Sequence, residues 1–427
     1  MRSTTPLEVI EVPWKYKSPT GLSDILPDSL RYWQYSEDLL NRVAGSFGFT
    51  RVITPPVESK SLYESVFSSS VLDNLIDSSI DEGGEHYVFR AHPRVSLIRS
   101  FKQNHFSELP PPLHFAYQAS TMQKTPLGYN QRYYYCFDVL GAKDVTTSAT
   151  MLMLLRKLAS ELHVKNTSII MHSSGCEACR PGYNSVFAEY AKPHLNTLCP
   201  VCIKSATVDQ IIHCEIDSHQ SWLEGAPAFL DHLCVTCRSQ LEGILEVCDQ
   251  LGLTYDVDPR FFVDQPEAEQ TTFTLRIGEE TTPAIVGFYY DRFATALADH
   301  PLSALGITID MEQLSRYLDQ QHVTLPSTAG IQVFVAQLGQ QAKSKCIPLL
   351  QQLYEAGYCA STAAESESIA HQLQVAERLH AKITLIVGQK EAMNGHVIMR
   401  DMLSGIQDNV YMDELISTLS ERFTAIV

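Results

Sequence analysis

Hydrophobic positions recur along this chain with two periods, and the switch between them marks its parts. From about Ser29 to Phe47, Leu30, Trp33, Leu39, Leu40 and Val43 fall roughly on one face, as in an amphipathic helix, and Gly48 stands where such a helix stops. FTRVITPPVES then has a β-type pattern interrupted by Pro55-Pro56, which cannot donate to a ladder and so marks an edge or an interface. Residues 87–101 predict a strand running into a helix. HFAYQAST and RYYYCFDVLGAKD, rich in aromatic and β-branched residues, predict two strands joined by the loop MQKTPLGYNQ. A helix from about Thr147 to His163 leads into the short strand SIIMHSS. Beyond a cysteine-rich stretch come a helix from Arg238 to Leu251, the strands TFTLRIG and PAIVGFYYD, and LSALGITIDMEQLSRYLD as a glycine-started strand or helix. HVTLPSTAG, at 322–330, is a turn-rich linker. After it IQVFVAQL, a helix to Gly357, a short strand, the helix SESIAHQLQVAERLHA and the strand KITLIVG alternate, which predicts an α/β domain with a mainly parallel sheet.

The cysteine-rich stretch, residues 172–238, holds seven of the eleven cysteines. Six form C-x-x-C pairs, Cys176/Cys179, Cys199/Cys202 and Cys234/Cys237, and Cys214 is followed by His219. Each such turn can aim two donors at one ion, and tetrahedral zinc takes four sulfur or imidazole ligands. Four couples fit two closed structural sites; the spacing does not say which couples share an ion, nor exclude a single ion. The competing readings are a cluster of reduced core thiols, disulfides, or a redox pair.

Composition narrows the class. The 427 residues are 44% hydrophobic and 19% charged, which fits two or three soluble domains with ample core material. No run of about 18 or more uncharged apolar residues is present, so no membrane span is expected. MRSTTPLEVIEVPWKYK lacks the apolar segment of a secretory signal, and residues 1–17 read as a loosely ordered lead-in. With metal-type cysteines this predicts a reducing, cytoplasmic setting. The net charge of −17 opposes casual binding of nucleic acid, and residues 331–427 carry seven Lys and Arg against ten Asp and Glu, net −3. No glycine-rich phosphate loop, nucleophile elbow or H-E-x-x-H motif suggests an unrelated enzyme.

From about residue 17 onward the chain resembles histidyl-tRNA synthetase, a class II aminoacyl-tRNA synthetase. GLSDILP is similar to that family's opening motif, FGFTRVITPPVE to its motif 1, FDVLG to the end of motif 2, GCEACRPGY and APAFLDHLC to its insertion, and VGQKEAMNGHVIMRDMLSGIQ to its anticodon-binding domain. The resemblance implies an α+β class II core, an antiparallel sheet with flanking helices, over 18–171 and 239–322. It further implies a small zinc-binding insertion at 172–238 and an anticodon-binding-like α/β domain over 331–427. It also implies a homodimer with Pro55 or Pro56 at the interface.

The matching positions depart from the family where it handles charge. Amino-acid activation joins a carboxylate to the α-phosphate of ATP, so such a site must place positive charge where negative charge develops. Ser120 and Met122 stand nearest the Arg-x-Glu of motif 2, Gln313 replaces the arginine of motif 3 with Asp310 ahead of it, and Val263 occupies the place of the catalytic arginine. The Arg-Pro-Glu-Gly-Thr segment, whose Glu and Thr hold the amino acid in the family, appears as Arg90-Ala91-His92-Pro93-Arg94. The Gly-Gly-Arg-Tyr-Asp loop keeps Tyr290 and Asp291 but sets Phe288 and Tyr289 in its space, and Asp138 stands for the last glutamate of motif 2. Lys124, Arg132 and Arg94 are the candidate replacement cations. In Arg132-Tyr133-Tyr134-Tyr135 the aromatic run, Tyr134 included, reads first as a strand and secondarily as a base-stacking platform; His92, His114 and His172 show no catalytic partner in sequence.

These departures predict a catalytically inactive synthetase-like protein that binds tRNA, an amino acid or a protein as a regulatory or accessory subunit, with ATP and Mg²⁺ not expected. The alternatives are a divergent but active histidine–tRNA ligase, and a structural subunit of a larger assembly.

Overall fold

The computed structural model describes residues 16–67, 69–205, 208, 211, 221–259, 267–278, 282–325, 330–363 and 368–424. The chain divides into two compact units, Met1–Val323 and Thr324–Val427.

In the first unit the sheet runs, edge to edge, through Thr50–Arg51, Leu113–Thr125, Gly128–Leu140, Ala304–Asp310, Ile285–Tyr289, Glu269–Ile277, Thr167–Gly175 and Tyr255–Val257. Its six inner strands pair antiparallel and each outer strand joins parallel. The predicted α+β core is present. A smaller sheet of Val57–Ser59, Glu85–Phe89 and Asp77–Glu82 lies beside it.

The helix Pro27–Ser46 begins with its proline in the first turn, where the missing N–H costs nothing, and buries Leu39, Leu40, Val43 and Ala44. It packs on the helices Val145–Glu161 and Met311–Gln320. Asp144 starts the former by accepting from the Thr147 amide at 2.6 Å, and Asp310 the latter by accepting from the Gln313 amide at 2.9 Å.

Several elements differ from the sequence expectation. The loop expected at 122–131 is almost all strand: the two long strands continue in register to Thr125↔Gly128, because polar residues sit comfortably on the exposed end of a hairpin. His172 lies in a core strand opposite Thr272, so the insert begins after Gly175 rather than at His172. LSALGITIDMEQLSRYLD is both a strand, Ala304–Asp310, and a helix, Met311–Gln320.

In the second unit the strand order is Ala360–Thr362, Val333–Gln337, Ile383–Val387, His396–Asp401, Gln407–Tyr411. The first three are parallel, as expected for alternating strands and helices, but the last two are antiparallel. A turn at Asp401, which accepts from the Leu403 and Ser404 amides, sends the chain straight back.

At the centre of the first sheet, a Cβ on Gly287 would stand 2.0 Å from a ring carbon of Phe273 on the neighbouring strand. Gly287→Ala is therefore expected to destabilise the protein by about 1–3 kcal/mol, the usual cost of overpacking; equilibrium denaturation measures it, and an unchanged midpoint would show that the sheet yields freely there.

Candidate functional site

The helix Pro93–Gln103 and three sheet strands converge on one buried cluster. His92 caps the helix: its Nδ1 accepts from the Arg94 amide at 3.3 Å, which leaves the ring proton on Nε2, 2.7 Å from Glu267 Oε1. Two residues into the helix the Arg94 side chain turns inward, fully buried. Its Nε donates to Asp138 Oδ1 at 3.0 Å and its Nη1 to Glu267 Oε1 at 3.4 Å. The Tyr290 phenol donates to the same Asp138 oxygen at 2.7 Å. The guanidinium carbon lies 4.4 Å from the Phe288 ring centre and 4.7 Å from that of Tyr290, within cation–π range.

Burial by itself would lower the Arg94 pKa, but Asp138 beside it holds it well above its ordinary value. Burial would raise Glu267, yet His92 and then Arg94 keep it below the ordinary carboxylate value. The cluster therefore sets one guanidinium against two carboxylates. Asp138 Oδ2, Glu267 Oε2 and Arg94 Nη2 remain buried without a hydrogen-bond partner. Gly306 makes room for the pair: a Cβ there would fall 1.9 Å from Asp138 Oδ1 and 2.6 Å from Arg94 Nη2.

The structure thus brings together His92, Arg94, Asp138 and Tyr290 of the candidate pocket, and adds Glu267, which the sequence pattern does not single out. Glu267 lies in a stretch of acidic residues with no periodicity of its own, so only the fold shows that it meets His92.

The other candidates have different surroundings. Arg132 ion-pairs with Asp310 at 3.2 Å. Lys124 is exposed near the end of its strand. Asp291 opens the helix Asp291–Ala298, pairs with Lys143 at 2.5 Å and accepts from the Ala304 amide at 2.8 Å. Ser120 and Met122 serve through their backbones: the Ser120 carbonyl accepts from Arg90 Nε and the Met122 amide donates to the Arg90 carbonyl, both at 2.8 Å. Arg90 also reaches Thr54 Oγ1 at 2.8 Å and the Pro55 carbonyl at 3.2 Å, which pins the loop of Pro55 and Pro56. Gln313 lies in the first turn of its helix, where Asp310 receives its amide. Tyr134 lies in the strand Gly128–Leu140 opposite Asp310, and Tyr133 meets Trp33 edge-on at 5.1 Å. The aromatic run is packing material. His172 Nδ1 donates to the Asp258 carbonyl, 2.9 Å away, and burial pushes its pKa down to about 4. Val263 lies outside the described residues.

A second candidate centre forms in the insert. The sulfurs of Cys176, Cys179, Cys234 and Cys237 all lie within 4.8 Å of one another. Cys176 Sγ stands 3.7 Å from Cys179 Sγ and 3.8 Å from Cys234 Sγ. A tetrahedral zinc with Zn–S bonds of about 2.3 Å requires S···S edges of about 3.8 Å, so the sulfurs have the spacing of a thiolate cage. The Cys234 amide donates to Cys179 Sγ at 3.2 Å, as an outer shell does. Burial pushes the Cys179 and Cys237 thiols up, while the Cys237 backbone draws Cys234 down to about 7. Four thiolates this close need a cation to coexist. The pairing that spacing leaves open is thus the first couple with the third. Cys199 and Cys202 belong to the same apolar cluster but not to this group, and Cys214 and His219 lie outside the described residues. Chelation of the purified protein is expected to lower its unfolding temperature, and Cys234→Ser to remove about one metal ion per chain by elemental analysis; an unchanged metal content would sink the assignment.

Known proteins place these geometries in context. Residues 332–422 match the model of an anticodon binding domain. Along 415 residues the chain is 25% identical to a histidine–tRNA ligase of Acetivibrio thermocellus, covering 94% of this chain and 99% of that protein. A histidine–tRNA ligase of a Thermoanaerobacter species is 26% identical over 409 residues, 93% of this chain and 98% of its own. Among solved structures, apo histidyl-tRNA synthetase of S. aureus superposes with a TM-score of 0.73 at 21% identity, covering 95% of this chain and 99% of its own. A Bacillus halodurans protein described as an ATP phosphoribosyltransferase regulatory subunit/histidyl-tRNA synthetase gives 0.62 at 14%, covering 88% and 98%. These structural likenesses establish the fold. No helix among the described residues is long and apolar enough to cross a membrane.

Proposed function

We infer that this chain, a homologue of the class II histidyl-tRNA synthetases along nearly all of its length, works by binding rather than by activating an amino acid. The observation that carries the reading is Arg94. It stands where the resemblance puts a substrate-binding threonine, and its buried guanidinium already holds the carboxylate of Asp138 and the rings of Phe288 and Tyr290. A substrate histidine would have to displace a buried ion pair.

The electrostatics of activation support the same reading. Arg94 is enclosed, Arg132 is paired with Asp310, and Arg90 is tied to backbone carbonyls and Thr54. One preorganised contact to a developing oxyanion is typically worth about 10²–10³ in rate. Without ATP chemistry the protein serves as a regulatory or accessory subunit in the cytoplasm. Its partner is a tRNA or a protein, and a zinc ion at the four-cysteine cage holds the insert.

The second reading, an active histidine–tRNA ligase, is favoured by the comparisons taken alone, since the match to such ligases runs through both units. Amino-acid-dependent ATP–pyrophosphate exchange on metal-replete protein separates the two. No exchange with any of the twenty amino acids is expected; exchange with histidine alone would replace the binding reading by the ligase.

The reading includes a homodimer. Ile53 is 90% exposed beside the likewise exposed Pro55 and Pro56, on a loop that Arg90 fixes from within. A rigid apolar surface of this kind suits a self-complementary interface. Ile53→Lys is expected to convert the dimer to a folded monomer in light scattering, and a dimer that survives it would place the interface elsewhere.

A further inference from the structure

We propose that the core contains a binding site for a planar monocation, and that Arg94 fills it in cis as a tethered ligand. Two aromatic faces and a carboxylate surround the guanidinium: Phe288 at 4.4 Å, Tyr290 at 4.7 Å and Asp138 at 3.0 Å, with Glu267 at 3.4 Å on the far nitrogen. This set, flat π faces with directed acceptors, is what recognises a free guanidinium or imidazolium ion.

Three features distinguish the arrangement from an ordinary core ion pair. The acceptors outnumber the cation, and Asp138 and Glu267 each keep a buried oxygen without a partner. The cage is assembled from parts far apart in sequence, and two of its contacts do not involve the arginine: Tyr290 is bonded to Asp138 and His92 to Glu267. Finally, Gly306 lets both Asp138 Oδ1 and Arg94 Nη2 come closer to the strand backbone than any side chain there would allow. Arg94 itself enters from the first turn of its helix.

The cage is the site that the binding reading invokes, and the inference rests on that reading. It adds that the unmodified protein does not sense histidine, because Arg94 occupies the pocket.

The test uses full-length Arg94→Ala, with Arg94→Ala/Asp138→Asn as its control. Guanidinium chloride at about 10 mM, far below denaturing levels, is expected to raise the thermal midpoint of Arg94→Ala by several degrees through preferential binding to the folded state. Sodium chloride at the same ionic strength, the double variant and the wild type show no such rise. A folded Arg94→Ala that responds no more to guanidinium than to sodium overturns the proposal. Should the variant not fold unaided, refolding yield against methylguanidinium decides the matter: a yield that rises supports the cage, and a flat one overturns it. Histidine binding to the wild type, abolished by Asp138→Asn, also overturns it. Pyrophosphate exchange by the wild type together with guanidinium rescue of the variant would remove the binding reading and leave the cation site standing. Neither exchange nor rescue would do the reverse.

Discussion

The buried contact between Arg94 and Asp138 is the constraint around which the first unit is arranged. Withdrawing two charges from water costs several kcal/mol per ion, and a single hydrogen bond does not repay it. The offset comes from the surroundings. Tyr290 donates to Asp138, Glu267 reaches the other side of the guanidinium, and Phe288 and Tyr290 supply π faces. A cation near a helix N-terminus also meets the positive end of the backbone dipole, which by itself is unfavourable. The excess carboxylate balances that end, which gives a physical reason why two acids face one base here. The dependence runs outward as well. Gly306 must lack a side chain, and His92 Nδ1 accepts from the Arg94 amide to cap the helix that carries Arg94.

Much of this fold is legible in the sequence, and little of this cluster is. Long helices such as Pro27–Ser46 announce themselves by one apolar face, and the strands of the central sheet by aromatic and β-branched density. Where polar residues occupy a strand, as from Met122 to Gln131, pattern alone reads a loop, because ladder hydrogen bonds are made by backbone that no side-chain alphabet encodes. Arg94 is visible as a substitution for a small residue, but the direction of its side chain is not. Depending on that direction, the same letter supplies a cation to a ligand or takes one away. Glu267 is illegible for a related reason: its partner is 175 positions distant.

The cysteine cage illustrates the complementary case. Spacing identifies the donors because a C-x-x-C turn is a local geometry, yet the choice of couples is a property of the path between them. Cys176 and Cys234 lie 58 residues apart and meet where the insert leaves the strand Thr167–Gly175 and returns as the helix Val235–Gln250. A metal held by these four sulfurs would close the insert at its base. Its apolar cluster, built on Tyr183, Phe187, Ile211 and Phe229, is small for an independent core, so a cross-link at the point of exit restricts the unfolded chain most where the fold has least to offer.

Charge is where the buried architecture and the exposed surface make different use of the same residue types. Arg90 and Arg94 are enclosed and bonded within the core, and Arg132, more exposed, is set against Asp310. A phosphate arriving at this surface meets a cation already neutralised, on a chain whose net charge is −17. An anion drawing on Arg132 would have to separate it from Asp310 Oδ2, while Asp310 Oδ1 keeps its cap on the Gln313 amide. A cation held in this way serves its neighbours in the fold first, and any ligand that needs it must compete with them.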